Sequence, residues 1–414
     1  VNILDKAMNL MEMDQVDKAL ELIHSYAPDA TDEESVSIAE FFMQWGFLHE
    51  AEAILEKLIP NYPEESELKL LLADCYIENQ KDEEAIELLN TISEDDDAYL
   101  QVLVALADLY QAQGLFEVAE QKLLQAKHLS PSETVIDLAL GELYFSLGDF
   151  KRAITYYEKT VKHPVATIPV ADRLAESYAN VGEYELAIEY YEKAASKHPD
   201  ALFKYGFSAH KADRNDLAIH IWKELLKEDP YYHSAYLQLA KAYEEEELLE
   251  DAYKTAVAGL KVDEYNKELY LEAGKLAHKI NLDQNSEQHV REAVSLDADY
   301  KEAVLFLIEL FKEKEQYEAI VDLIKNVKET GGDDPIYDWE LARAFVEIES
   351  YNDALIHYKE AYNSLQHDSD FLKEYGYFLN EEGRTKEAVQ LFEAYLQHEP
   401  DDHEITEYVS RLKQ

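Results

Sequence analysis

Residues 140–164 read LGELYFSLGDFKRAITYYEKTVKHP, and their spacing decides the fold. Gly141 and Tyr144 stand three apart and Ala153 and Tyr157 four apart, so each pair shares one face of a helix. Gly148 lies between the two patterns, five residues before Ala153. A glycine there takes a positive φ without a Cβ penalty and ends the first helix. Pro164 closes the second, where a missing amide hydrogen is tolerated. The segment predicts two helices joined by a tight turn, and LAESYANVGEYELAIEYYEKAASKHP at 174–199 repeats it.

Outward from Ala153 the same alanine recurs as Ala19, Ala51, Ala85, Ala119, Ala187, Ala218, Ala252, Ala319, Ala354 and Ala388, with Ser286 in the ninth place. Most gaps are 34 residues and the others run from 31 to 35, so about twelve units fill almost all of the 414 positions. Twelve residues earlier runs a second small column: Ala7, Ala39, Ala73, Ala107, Gly141, Ala175, Gly206, Ala240, Gly274, Ala342 and Gly376, broken only by Leu307. Small side chains on both columns let two helices approach closely, and each pair must stack on the next to bury its apolar face. The expected fold is all-α, a solenoid of about twelve antiparallel helix pairs. Ile405, Tyr408, Val409 and Leu412 give residues 403–414 the spacing of a capping helix.

The pattern is irregular in three places. Three residues are missing between Ala187 and Ala218, which shortens the link after Pro199 and divides the array into residues 1–199 and 200–402. Ser286 replaces an alanine. NVKETGGDDP at 326–335 reads as a Gly-Gly insertion before the eleventh unit.

Position by position these columns resemble the tetratricopeptide repeat (TPR) family over nearly the whole chain. The long acidic arrangement is also similar to repeat proteins of Gram-positive bacteria of the Bacillus type. The resemblance implies helix pairs wound into a right-handed superhelix whose inner surface binds a peptide or a segment of another protein. That is a mode of binding rather than a chemistry.

Composition narrows the partners. There are 88 Asp+Glu against 38 Lys+Arg, a formal charge of −50, which repels nucleic acid and anionic membranes. Hydrophobic residues make up 47%, too many for a disordered acidic tail. The single cysteine, Cys75, cannot form an intramolecular bridge, so a reducing, cytoplasmic setting is expected. The opening residues VNILDKAMNLMEMDQ lack the pattern of a signal peptide, and no apolar run is long enough to span a membrane. No phosphate loop, His-Glu-x-x-His signature, cysteine pair or serine elbow occurs, and His24, His49, His210, His278 and His289 keep no metal-ligand spacing. Neither an enzyme nor a cofactor or metal is expected.

The family geometry implied by the resemblance turns the ninth position of each first helix toward the inner wall. From the second unit onward it reads Glu40, Asp74, Asp108, Glu142, Glu176, Phe207, Lys241, Lys275, Glu309, Arg343 and Tyr377; with the tenth unit aligned on Ala319 rather than Ile320, Ile308 replaces Glu309. Five carboxylates are followed by a mixed, partly basic series. A row of like charges on a concave wall focuses its field, so a Lys/Arg-rich segment is the expected partner of the first half. Phe203, Phe207, Trp339 and Tyr377 are candidate aromatic anchors of the second half, Trp339 foremost. A clamp for a partner's C-terminal carboxylate is not expected, since Asp74, Asp108 and Glu142 occupy its asparagine column; Lys241, Lys275 and Arg343 leave some room for an acidic partner.

The leading functional reading is a non-enzymatic scaffold or adaptor that holds an extended peptide or helical segment of another protein. A self-assembling structural array is the alternative. A peptide-sensing regulator is the third reading, but it needs an effector domain for which the repeats leave little space.

Overall fold

The computed structural model describes residues 3–162 and 170–414; Pro164 lies outside them. The described residues form helices and turns without strands, in two compact units, Val1–Ser196 and Lys197–Gln414.

The first unit contains α1 (Ile3–Glu12), α2 (Val16–Tyr26), α3 (Asp32–Gln44), α4 (Leu48–Leu58), α5 (Ser66–Glu78), α6 (Asp82–Leu89), α7 (Tyr99–Ala112), α8 (Phe116–Leu129), α9 (Thr134–Ser146), α10 (Phe150–Lys162), α11 (Val170–Asn180) and α12 (Tyr184–Ala194). The second contains α13 (Pro199–Lys211), α14 (Asn215–Glu228), α15 (His233–Glu245), α16 (Leu249–Leu260), α17 (Lys267–Lys279), α18 (Asp283–Leu296), α19 (Lys301–Glu313), α20 (Tyr317–Glu329), α21 (Pro335–Glu347), α22 (Tyr351–Leu365), α23 (Ser369–Glu381), α24 (Thr385–His398) and α25 (His403–Leu412). Odd and even helices pair in sequence, and within each unit most even helices also pack on the next odd one. This is the helix-turn-helix arrangement of a right-handed TPR solenoid. The last helix closes the second unit by burying Ile405 and Val409 against α24.

The turn inside every pair is the same. Its third residue has a positive φ, and the following amide donates to the carbonyl five residues back at 2.8 or 2.9 Å, as from Asp149 to Tyr144 and from Leu248 to Tyr243. This bond closes a Schellman motif, which satisfies a carbonyl that the helix end leaves open.

Both small columns are buried apart from Ala319, and where the first is glycine a larger side chain fills the space, Val290 at Gly274 and a ring at the other three. A Cβ on Gly141 would lie 2.7 Å from the Tyr157 ring, on Gly206 2.4 Å from the Trp222 indole, and on Gly376 2.7 Å from the Phe392 ring. Each ring stands four residues after its unit's column alanine, so volume removed from one helix reappears on its partner.

Three expectations need correction. In the tenth unit Leu307 and Ile308 are both buried, but Ile320 is buried where Ala319 is only half-buried, and the 12-residue step back from Ile320 and the 34-residue step back from Ala342 both fall on Ile308. Alignment on Ile320 makes the repeat regular at 34 residues from Ala218 to Ala388, so NVKETGGDDP inserts nothing. Its glycines serve geometry instead: Gly331 has φ +107°, and a Cβ on Gly332 would lie 2.5 Å from the carbonyl oxygen of Ala298. With isoleucine in both small columns, α19 and α20 form the most loosely apposed pair of the twelve. Finally, the missing three residues lie before Pro199, not after it. Helix α12 stops at Ala194, Ala195 turns left-handed at φ 48°, and Pro199 is itself the first residue of α13. Elsewhere the corresponding proline, such as Pro131 or Pro230, stands three residues ahead of the helix.

Candidate functional site

In the first unit the predicted carboxylates ride on the odd helices. Glu40 on α3, Asp74 on α5 and Asp108 on α7 are exposed and make no hydrogen bond or ion pair with a described residue. Exposure is incomplete in effect: packing around Asp74 and Asp108 removes water from their carboxyls and raises both pKa values, with Glu78 adding to the rise at Asp74. Each is therefore a negative charge with too little compensation. Glu142 on α9 is half-buried; it accepts the Tyr157 hydroxyl at 2.7 Å and faces Arg173 at 3.4 Å. Glu176 on α11 is half-buried.

The basic series of the second unit has a different origin. The sixth position of the repeat, two residues before the small column, reads Leu71, Ala105, Ala139 and Arg173 in the third to sixth repeats, but it is Glu272, Glu340 and Glu374 in the ninth, eleventh and twelfth. Glu272 and Glu340 are buried, and such carboxylates require nearby cations. Arg343 supplies one, donating to Glu340 at 2.8 Å and gripping Glu374 through Nη2 at 2.6 Å and Nε at 3.0 Å. Glu374 also accepts Trp339 Nε1 at 2.8 Å and the Tyr358 hydroxyl at 2.9 Å; against its desolvation, these donors hold its carboxyl below the usual range. Lys275 pairs with Glu302; burial and then Glu244 raise the pKa of Glu272, and Lys241 and Lys275 only partly oppose that rise through space. The room for an acidic partner is therefore much reduced, because Lys275 and Arg343 already have carboxylates. Glu309 is exposed and binds Lys312 at 2.9 Å.

The aromatic candidates separate. Trp339 is only 8% exposed, with its ring edge-on to Phe371, its face under the Arg343 guanidinium and its nitrogen on Glu374. It is a structural post rather than an open anchor, because the sixth-column acid of the next repeat draws it inward. Phe203 is half-buried between Trp222 and Tyr232. Phe207 is 36% exposed, with the Lys211 ammonium 5.5 Å from its ring centre. Tyr377 is half-buried against Phe392 and Tyr408. The phrase pattern overlooked Glu272, Glu340 and Glu374; their recurrence at one repeat position, two residues before the small column, was the available signal.

Among the described residues no group of three or more His, Cys, Asp or Glu is placed to hold a metal, and no helix is long and apolar enough to cross a membrane.

The profile of YpiA-like tetratricopeptide repeats matches residues 111–164 and that of YpiA-like C-terminal tetratricopeptide repeats matches 335–402, while general tetratricopeptide profiles match 46–105 and 173–233. Over 415 residues the sequence is 39% identical to the TPR repeat-containing protein YpiA of Bacillus subtilis (strain 168), covering 99% of this chain and 98% of that protein. The chain belongs to the YpiA-like tetratricopeptide repeat family. Among solved structures, the C-terminal part of a TPR repeat-containing protein of Cytophaga hutchinsonii is 19% identical with a TM-score of 0.48, covering 56% of this chain and 96% of that one. YrrB, described as a TPR protein with an unusual peptide-binding site, is 16% identical with a TM-score of 0.39, covering 44% of this chain and 95% of that one. As a YpiA-like TPR array the chain is a non-catalytic protein-binding scaffold.

Proposed function

We propose that the first unit binds an extended, Lys/Arg-rich segment of another protein along the face that carries Glu40, Asp74 and Asp108. The observation that supports this reading is the contrast between the units. Glu40, Asp74 and Asp108 lack partners among the described residues, whereas most of the candidate cations of the second unit are occupied. A guanidinium or ammonium brought to Asp74 or Asp108 supplies compensation that the fold withholds, and the raised pKa of each carboxyl falls on binding. The complex accordingly forms with release of protons and weakens on acidification at a higher pH than an ordinary aspartate requires.

Stopped-flow association of a labelled Arg/Lys-rich peptide with the full chain tests the reading. Replacing Glu40 by Gln and Asp74 and Asp108 by Asn should slow association at low salt by about tenfold, a typical scale for electrostatic steering. An unchanged on-rate would remove the acidic face from the binding site. The reading also places the protein in the cytoplasm, a setting that suits the free thiol of Cys75; burial first, then Glu52 and Glu78, push its pKa up to about 11.

A further inference from the structure

The second unit contains a cleft of about 460 Å³ bounded mainly by α20, α21 and α23, with Lys312 of α19 and Tyr358 of α22 also lining it. Tyr317, Val346, Tyr377 and Phe378 give it an apolar, largely aromatic wall, and Glu374 with Arg343 forms its floor. The two cations that line it are already engaged. Lys312 meets Glu309 at 2.9 Å and Glu340 at 2.7 Å, and Arg343 bridges Glu340 and Glu374. An entering anion would have to displace a carboxylate from a charge-assisted contact.

The rim has the opposite character. Glu347 and Glu381 line the cleft, are exposed, and make no hydrogen bond or ion pair with a described residue. They are also the last residues of α21 and α23, so the partial negative charge of two helix C-termini adds to their own. Aromatic faces beneath a negative rim favour a cation carried on an alkyl stem: the stem packs against the rings and the charge reaches the carboxylates.

We propose that this cleft receives a single lysine or arginine side chain presented by a partner protein. The site is separate from the carboxylates of the first unit and does not depend on their role. Its specificity comes from charge surplus at the rim, since the floor is internally balanced.

The full chain labelled with 5-fluorotryptophan provides a direct readout, because it has three tryptophans and Trp339 touches both floor residues. Loss of a signal in Trp339→Phe assigns the resonance. A blocked Ala-Arg-Ala tripeptide should shift the Trp339 signal saturably, while the same tripeptide with uncharged citrulline should need at least tenfold higher concentration. The double substitution Glu347→Gln and Glu381→Gln should weaken arginine binding tenfold or more while leaving the ligand-free spectrum intact, which reports an undisturbed fold. Asp74→Asn with Asp108→Asn should leave this titration unchanged, so failure here is distinguishable from failure of the first-unit reading. Equal responses to arginine and citrulline, a saturable response to a glutamate tripeptide, or no saturable response to arginine would overturn the proposal.

Discussion

At Asp14, Gln80, Asp213, Glu247, Asn281, Glu315 and Glu349 a side chain with a Cβ occupies the left-handed turn position that glycine fills in the other five units, with φ between 54° and 61°. A left-handed conformation costs an L-residue about 1–2 kcal/mol, partly offset because glycine loses about 0.5–1 kcal/mol more chain entropy on folding. Glu247→Gly should therefore raise stability by roughly 0.5–1 kcal/mol, read from the urea midpoint; a lower midpoint would mean that the glutamate makes a compensating contact. Glu272 is the second residue whose state matters. Burial first, and then Glu244, push its carboxyl up to about 7, whereas Lys241 and Lys275 pull it down. A carboxyl whose folded pKa exceeds its unfolded value favours the fold while protonated, and that contribution disappears as pH rises toward and through the folded value. Glu272→Gln should gain stability relative to the native chain as pH rises from about 4.5 to about 7, where the unfolded carboxyl ionises while the folded one keeps its proton, and the gain should level off above that. A difference that stays flat across this range would show that Glu272 does not titrate there.

At the scale of elements, complementary volumes hold each pair. Gly206 lies beneath Trp222, whose Nε1 is also tied to the Phe203 carbonyl at 3.2 Å, so the indole has little freedom to retreat. Gly206→Ala should cost about 1–3 kcal/mol, the usual range for overpacking a buried contact. Circular dichroism during urea unfolding checks this, and an unchanged midpoint would contradict the close approach. The two small columns and their period were legible because buried alanine and glycine mark where helices touch. The turn was legible only where glycine occupied it, since Gln80 or Glu315 does not announce a positive φ. The tenth unit misled for a related reason: Ala319 matched the composition of the column, while Ile320 holds its position. Isoleucine in both columns leaves spacing as the only guide, and the loose α19/α20 pair is the structural result.

Across the whole molecule the charge of −50 opposes compaction. Salt should stabilise the chain, because the Debye length falls from about 10 Å near 0.1 M to about 3 Å at 1 M. A melting temperature that falls with added sodium chloride would indicate that attractive ion pairs outweigh this self-repulsion. The row of carboxylates from Glu40 to Glu176 could be read as a charge pattern, but the sequence did not distinguish free charges from neutralised ones. That distinction needed the contacts of Glu142, and in the second unit those of Glu340 and Glu374 with Arg343. Trp339 shows the same limit, since its position in the repeat specified a direction while Glu374 determined its burial. Hydrogen–deuterium exchange of the full chain with and without an Arg/Lys-rich peptide tests the central claim most directly. The account predicts slowed exchange concentrated in α3, α5 and α7, with the even-numbered helices of the first unit little changed; protection confined to those even helices, or none at all, would contradict it.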